Sequence, residues 1–197
     1  FLPDIITGIR YAFKNRFIGK LLFIYGLFTL LCVPAGYLAG LLVRRTFGNT
    51  YWYLTAVEIV GFAGMTAGGV VMSIWGGFRK RERTLTEGLF AFGAFAIGMG
   101  LTKNFILYLF LMFFYGIALT AAQTSITTLL QEKSEPAMHG RVFGLFSTMY
   151  AGFLPLGMLL FGPLADLVPL QWLMAGSGAT LIAIAGIIGV RLKFRNI

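Results

Sequence analysis

The sequence predicts an all-α membrane protein built from six transmembrane helices, and three observations carry that prediction. Residues of the apolar set AVILMFWYC make up 58% of the chain and only 12% is charged, whereas soluble domains are about 45–50% apolar and about 25% charged. The apolar residues fall into six runs, each near the roughly 20 residues a helix needs to cross a hydrocarbon core. The cations gather in the short breaks between runs. Threading the chain back and forth puts thirteen of its sixteen Lys and Arg residues on one side, the bias that orients membrane proteins.

The six spans are expected at about 21–43, 53–76, 85–102, 104–129, 142–165 and 170–190. Residues 1–20 precede them as a lead-in. There Ile5, Ile9 and Phe13 recur every fourth residue, with Ile6 and Phe17 on flanking faces and Arg10 and Lys14 beside them. That pattern suits a short amphipathic helix lying among cytoplasmic headgroups; a plain linker is the alternative. The breaks read "RRTFGN", "GFRKRER", "TKN", "QEKSEPAMHGR" and "DLVP". In the fourth, Pro136 stands where a helix can begin, with Ser134 or Glu135 as cap. The basic loop Arg79, Lys80, Arg81 and Arg83, the fourth break and both termini fall on the cation-rich side, which predicts a plasma-membrane protein with both termini cytoplasmic. The chain opens with Phe and lacks a signal-peptide pattern, so it reads as a piece of a longer protein.

Small residues set how helices meet in lipid, because lipid tails give no hydrophobic drive for association. Glycines recur in spans two, three and five, and Ala175, Ala179 and Ala183 recur at intervals of four in span six; most are expected to serve packing. Pro34, Pro155 and Pro163 each remove a backbone donor within a span. Pro34 and Pro155 are candidate kinks that could also bend during a working cycle.

Six of the seven acidic residues lie at or beyond the membrane edges. Glu58 alone lies inside, five residues or ~8 Å beyond Tyr53 along span two. An ionised carboxylate there costs on the order of 3 kcal/mol or more. It could snorkel toward Arg44 or Arg45, or it could line an aqueous cavity and take up a proton. Two polar stripes accompany it. Thr120, Gln123, Thr124 and Thr127 follow the i, i+3, i+4, i+7 rule on span four, and Tyr25, Thr29, Cys32 and Gly36 share a face of span one. Such faces look inward, at other helices or at water. Aromatic and Met side chains, Tyr25, Met65, Tyr115, Met149, Tyr150 and Phe153, could supply an adaptable apolar lining. Plain packing is the alternative for each, and interhelical hydrogen bonding the alternative for the stripes.

Several function classes are disfavoured. The net charge of +9 fits a membrane surface better than nucleic acid. One Cys and one His allow no internal disulfide and no Cys/His metal cluster. No G-x-x-x-x-G-K-[ST] loop occurs. His139, the single base an intramembrane protease could use, lies in a loop. No cofactor, metal or catalytic residue is expected.

The stretch "LLQEKSEPAMHGRVFGLFSTMYAGFLPLGMLLFGPLADLV", residues 129–168, resembles the entry into the eleventh helix of major facilitator superfamily exporters of the macrolide-efflux-like branch. "DIITGIRYAFKN" looks like that branch's linker into helix seven, and "VEIVGFAGMTAGGVVMSIWGGFRKRERTL" looks like helix eight with its basic loop. The resemblance implies the C-terminal six helices of a twelve-helix transporter, one half of a major-facilitator-type bundle. Spans one, two, four and five would line a central cavity, and spans three and six would face lipid. The half would also contain two three-helix units of inverted topology, although residues 21–102 and 104–190 show no convincing match. The superfamily's basic loop includes an Asp that "GGFRKRERTL" lacks, which puts any gating bond of that Asp in doubt.

The resemblance implies proton-coupled export of a small amphipathic compound, with Glu58 as the proton-coupling group. The cavity candidates are Tyr25, Thr29, Met65, Tyr115, Thr120, Gln123, Thr124, Thr127, Met149 and Phe153. The implied partners are the bilayer, an N-terminal six-helix half, the substrate and protons, and a homodimer of the isolated half is a further possibility. Siderophore export, lysophospholipid flipping and a non-transporting scaffold or sensor are the alternatives.

Overall fold

A computed structural model describes residues 10–12 and 14–194. Helix α1 (Arg16–Gly36) and helix α2 (Ala39–Phe47) together form the first span. Helices α3 (Tyr51–Trp75), α4 (Arg81–Leu101) and α5 (Phe105–Lys133) form the next three. A 3-10 turn at Pro136–Met138 leads into α6 (His139–Leu167), and α7 (Leu170–Phe194) is the sixth span. Every regular element among the described residues is helical, and six spans are long and apolar enough to cross a membrane.

Several expected boundaries move. The Asn15 carboxamide accepts hydrogen bonds from the N–H groups of Phe17 and Ile18, at 3.2 and 3.4 Å. This N-cap starts the first span at Arg16 rather than 21. The amphipathic face expected from Ile5, Ile6, Ile9 and Phe13 lies outside the described residues. Its neighbour Tyr11 is anchored, because its hydroxyl accepts from the Glu135 N–H at 3.2 Å. The first span is also not one helix. Pro34 has no N–H to give the Leu30 carbonyl. The turn then closes with the N–H groups of Tyr37 and Leu38 both on the Val33 carbonyl, at 2.9 and 3.0 Å, and α2 restarts at Ala39. By contrast α6 runs unbroken through Pro155 and Pro163. The 3-10 turn begins at Pro136 with Glu135 in the N-cap position, as expected, although the Glu135 side chain makes no capping bond. Ser134 closes α5 by donating its hydroxyl to the Leu130 carbonyl at 2.6 Å.

The helices pair in a pattern with internal symmetry. The first span packs on α6 and α7, α3 packs on α5, and α4 packs on both α5 and α7. Exchanging spans one to three with spans four to six maps this set of pairings onto itself. The exchange pairs the third span with the sixth, and there the contact is reciprocal. A Cβ on Gly93 would come within 2.5 Å of the Gly178 carbonyl oxygen, and a Cβ on Gly178 equally close to that of Gly93. This pairing is what two inverted three-helix units would produce. The relation lies in which spans pair, and it does not extend to a shared side-chain pattern.

Glycine packing is concentrated, not general. Gly61, Gly64, Gly68 and Gly116 bring α3 and α5 into backbone contact, while Gly69, Gly144, Gly152 and Gly162 face open space. In α7 the packed face is Met174, Ser177, Gly178, Leu181 and Ala185, and the expected Ala179 and Ala183 are exposed. The third span likewise does more than face lipid. Phe90 and Leu101 point outward, but Leu89, Phe92, Ala96 and Met99 are buried in the core.

Ion pairs tie the bundle's two ends. At the end carrying the basic loops, Arg81 meets Glu132 of α5 at 3.4 Å, and Arg83 meets Glu87 at 3.7 Å while lying 4.8 Å from the Phe78 ring. Arg79 and Lys80 are exposed. The loop that lacks the superfamily's Asp thus makes its cross-helix bond to span four. At the other end Arg45 pairs with Asp166 at 2.8 Å and also donates to the Ala165 carbonyl. Exposed pairs of this kind contribute about 0–1 kcal/mol each, so they fix register more than stability.

Candidate functional site

One cavity of about 480 Å3 lies along the inner face of the bundle. It is walled by α1, α3, α5 and α6, with no residue from α4 or α7. From α1 come Tyr25, Phe28, Thr29, Cys32 and Gly36, which follow one helical face, and Tyr37 joins them at the break after Pro34. Helix α3 supplies Glu58, Gly61, Phe62 and Met65; α5 supplies Met112, Tyr115, Gly116, Leu119 and Gln123; α6 supplies Tyr150.

The wall is held by aromatic stacking and a few polar contacts. Tyr25 stacks on Phe146 with ring centroids 3.9 Å apart. Phe92 of α4 supports the wall from behind, 5.0 Å from Phe28 and 4.3 Å from Tyr115. The Thr29 hydroxyl donates to the Tyr25 carbonyl at 2.9 Å, which satisfies it within its own helix. Cys32 Sγ and Tyr115 Oη lie 3.4 Å apart, joining α1 to α5. Tyr37 and Tyr150 share a hydroxyl–hydroxyl hydrogen bond of 2.8 Å, which joins the first span to the fifth.

Among the described residues Glu58 is the one charged side chain on this wall. It is exposed, and no ion pair or hydrogen bond to it occurs among the described residues. Of the two cations toward which Glu58 could snorkel, Arg45 pairs with Asp166 and Arg44 donates to Asn49 at 3.3 Å. A carboxylate within a membrane span and without a cation partner needs water to cover it. Among the described residues no group of three or more His, Cys, Asp or Glu could hold a metal ion.

Half of the sequence-derived cavity candidates stand on the wall, namely Tyr25, Thr29, Met65, Tyr115 and Gln123; the other half do not. Thr120 faces α3 instead and donates to the carbonyls of Met65 and Gly116, at 3.2 and 3.1 Å. Thr127 bonds the Gln123 carbonyl of its own helix at 2.9 Å, and Thr124 is half-buried off the wall. Met149 lines a separate groove beside Arg16. Phe153 packs its ring over Gly26, where an added Cβ would come within 2.8 Å of it. The span-four face that does line the cavity runs back from Gln123 through Leu119, Tyr115 and Met112. Its spacing is as regular as that of the Thr stripe, but its residues are apolar, so polarity pointed one face away. Phe28 and Phe62 follow the same spacing from Tyr25 and Glu58. Tyr37 had no such signal, because the helix breaks beside it.

The side between α3 and α6 is open. These helices flank the cavity without packing along each other. Large apolar side chains are exposed on both, including Ile59, Phe62, Val70 and Ile74 on α3 and Leu156, Leu159 and Leu160 on α6.

Comparison with known proteins agrees with this geometry. Residues 2–156 match the family model of the Major Facilitator Superfamily. Macrolide efflux protein A of Streptococcus pyogenes is 26% identical over 187 residues, which are 94% of this chain and 46% of that protein. Macrolide efflux protein A of Enterococcus faecalis is 25% identical over 160 residues, 80% of this chain and 50% of that protein. The chain therefore spans about half the length of the curated relatives it matches. An all-α bundle of six apolar spans around a cavity, matched to the family model over most of its length, makes this chain an integral membrane protein of the major facilitator superfamily, similar to its macrolide-efflux branch.

Proposed function

We propose that this chain is one six-helix half of a proton-coupled exporter of small amphipathic compounds, oriented with its basic loops in the cytoplasm. The observation that carries the reading is Glu58: a single unpaired acid on the wall of a 480 Å3 cavity otherwise lined by aromatic, Met and small polar residues. Protonation removes the charge, and deprotonation restores it when the cavity opens to the other side. Alternation between those states is what couples a proton to a substrate. Aromatic and Met side chains re-pack around different apolar bodies, which suits a broad specificity.

A half alone has nothing to rock against, since alternating access moves one half relative to the other around a shared site. The open side between α3 and α6 is the face a second six-helix unit would cover. In the isolated chain a second copy would serve the same need, which favours self-association in mild detergent. The experiment is a transport screen of the full-length protein in inverted membrane vesicles. Macrolides and other amphipathic compounds should accumulate when a proton gradient is imposed and not when it is collapsed. Accumulation that ignores the gradient would contradict the coupling, and no accumulation of any amphipath would contradict export.

A further inference from the structure

Away from the central cavity, two apolar grooves flank the outer stripe of α1 at the basic end of the bundle. One, of about 390 Å3, lies between α1 and α6 and is walled by Leu22, Phe23, Leu145 and Met149. The other, of about 660 Å3, opens where α1 meets α4, α5 and α7, against Ile24, Leu27, Ile184 and Ile187. The two grooves share Gly19, Lys20 and Phe23. Phe23 is 60% exposed and stands as a ridge between them.

The grooves converge on positive charge. Arg16, Lys20 and Phe23 are spaced i, i+4, i+7, so they share one exposed stripe of α1. Neither Arg16 nor Lys20 has an ion pair among the described residues. Glu82 lines the far wall of the larger groove and lies beyond ion-pair distance of Lys20. Ala12 closes over α1 at this point: a Cβ on Gly19 would come within 2.7 Å of the Ala12 carbonyl oxygen, so only glycine admits that backbone.

We propose that this notch binds one anionic diacyl phospholipid, its phosphate on Arg16 and Lys20 and one acyl chain in each groove astride Phe23. Glu135 lines a pocket with Lys14 and Arg16, and Glu82 a groove with Lys20, but neither acid pairs with Arg16 or Lys20, and the three cations outnumber them, which favours an anionic headgroup over a zwitterionic one. Two grooves meeting at one charged point match two chains meeting at one headgroup. A free phosphate would gain little from exposed, screened cations alone; the fitted grooves supply the remaining contact by packing.

The test is lipid binding to the 197-residue chain in mild detergent, read by native mass spectrometry with phosphatidylglycerol and phosphatidylethanolamine of matched chains. Phosphatidylglycerol is expected to bind preferentially. Each of Arg16→Gln and Lys20→Gln should weaken it by about fivefold, near the ratio that one juxtamembrane cation supplies. The charge-preserving pair Arg16→Lys and Lys20→Arg should keep it, as should Lys103→Gln at the opposite end. Lyso-phosphatidylglycerol, with one chain, should bind more weakly than the diacyl form. Equal binding of the two headgroups, full retention by the double Gln variant, equally tight binding of the lyso form, or displacement by millimolar glycerol phosphate would each overturn the proposal. A double Gln variant that lost the lipid but also lost its native thermal transition is resolved by the Lys/Arg exchange pair, whose loss of lipid would overturn it.

Discussion

The seam between the second and fourth spans and the seam between the first and fifth are equivalents under the internal exchange of triplets, yet they are built differently. The former is a backbone seam. Gly61, Gly64 and Gly116 let α3 and α5 touch main chain to main chain, and the Thr120 hydroxyl bridges to the Met65 carbonyl at 3.2 Å. The latter is largely a side-chain seam. Tyr25 lies on Phe146, Phe153 covers Gly26 and Tyr37 meets Tyr150; among these contacts only Gly157, against Leu30 and Val33, brings backbone close. A backbone seam cannot slide without a clash, whereas rings and a hydroxyl pair can exchange partners at little cost. The difference separates a seam locked by backbone contact from one held mainly by side chains. The interrupted first span, with its break at Tyr37, belongs to the softer seam.

The comparison can be broken most severely at Gly64. Even a methyl there would overlap the Phe113 carbonyl oxygen. Gly64→Ala is expected to destabilise by more than about 3 kcal/mol, since backbone cannot yield as a rotamer does. The matching change in the other seam is Gly26→Ala, whose Cβ would meet the Phe153 ring first, at 2.8 Å. Ring rotation should hold that cost to about 1 kcal/mol. Thermal unfolding of both variants in detergent checks the contrast; equal losses would erase the distinction between the seams.

Tyr150→Phe sharpens it further. The variant removes one exposed hydroxyl–hydroxyl bond of 2.8 Å, so stability should fall by less than about 1 kcal/mol. If the soft seam is the moving one, the same variant should change the rate of substrate efflux more than the melting temperature. An unchanged rate would argue that the seam stays closed during transport.

The gentlest probe leaves both seams alone. Cysteines placed at Arg79 and Glu135, both exposed, in a background with Cys32 replaced, should be shielded from an impermeant thiol reagent in intact cells. Thr84 and Ser134 are unsuitable positions because both are buried. Labelling from outside at either exposed site would reverse the proposed orientation.

Much of this fold was legible because the bilayer leaves few choices. Every backbone polar group in hydrocarbon must be satisfied within its own segment, so apolar length reports spans directly. Helix ends were less legible, since caps such as Asn15 and Asn104 are local chemistry: the Asn104 side chain accepts from Ile106 and Leu107 at 2.9 and 3.2 Å. Within the site, period identified the α1 face through Tyr25, Thr29 and Cys32. On the α5 face polarity located Gln123 on the wall, while Thr120 takes the interhelical alternative by bonding the Met65 carbonyl and Thr127 bonds a carbonyl of its own helix. Glu58 was legible because an ionised carboxylate, which only accepts hydrogen bonds, has no such escape.

The central claim is that Glu58 carries the proton, and substrate-induced proton release tests it most directly. The full-length protein and its Glu58→Gln variant would be compared in inverted vesicles, with equal expression and equal melting temperature as the control for folding. The amide keeps the shape of the side chain but cannot exchange a proton in turnover. The account predicts that adding a transported macrolide releases protons from the parent and none from the variant, with gradient-driven uptake lost in parallel. Proton release of the same size from the Glu58→Gln variant would contradict it.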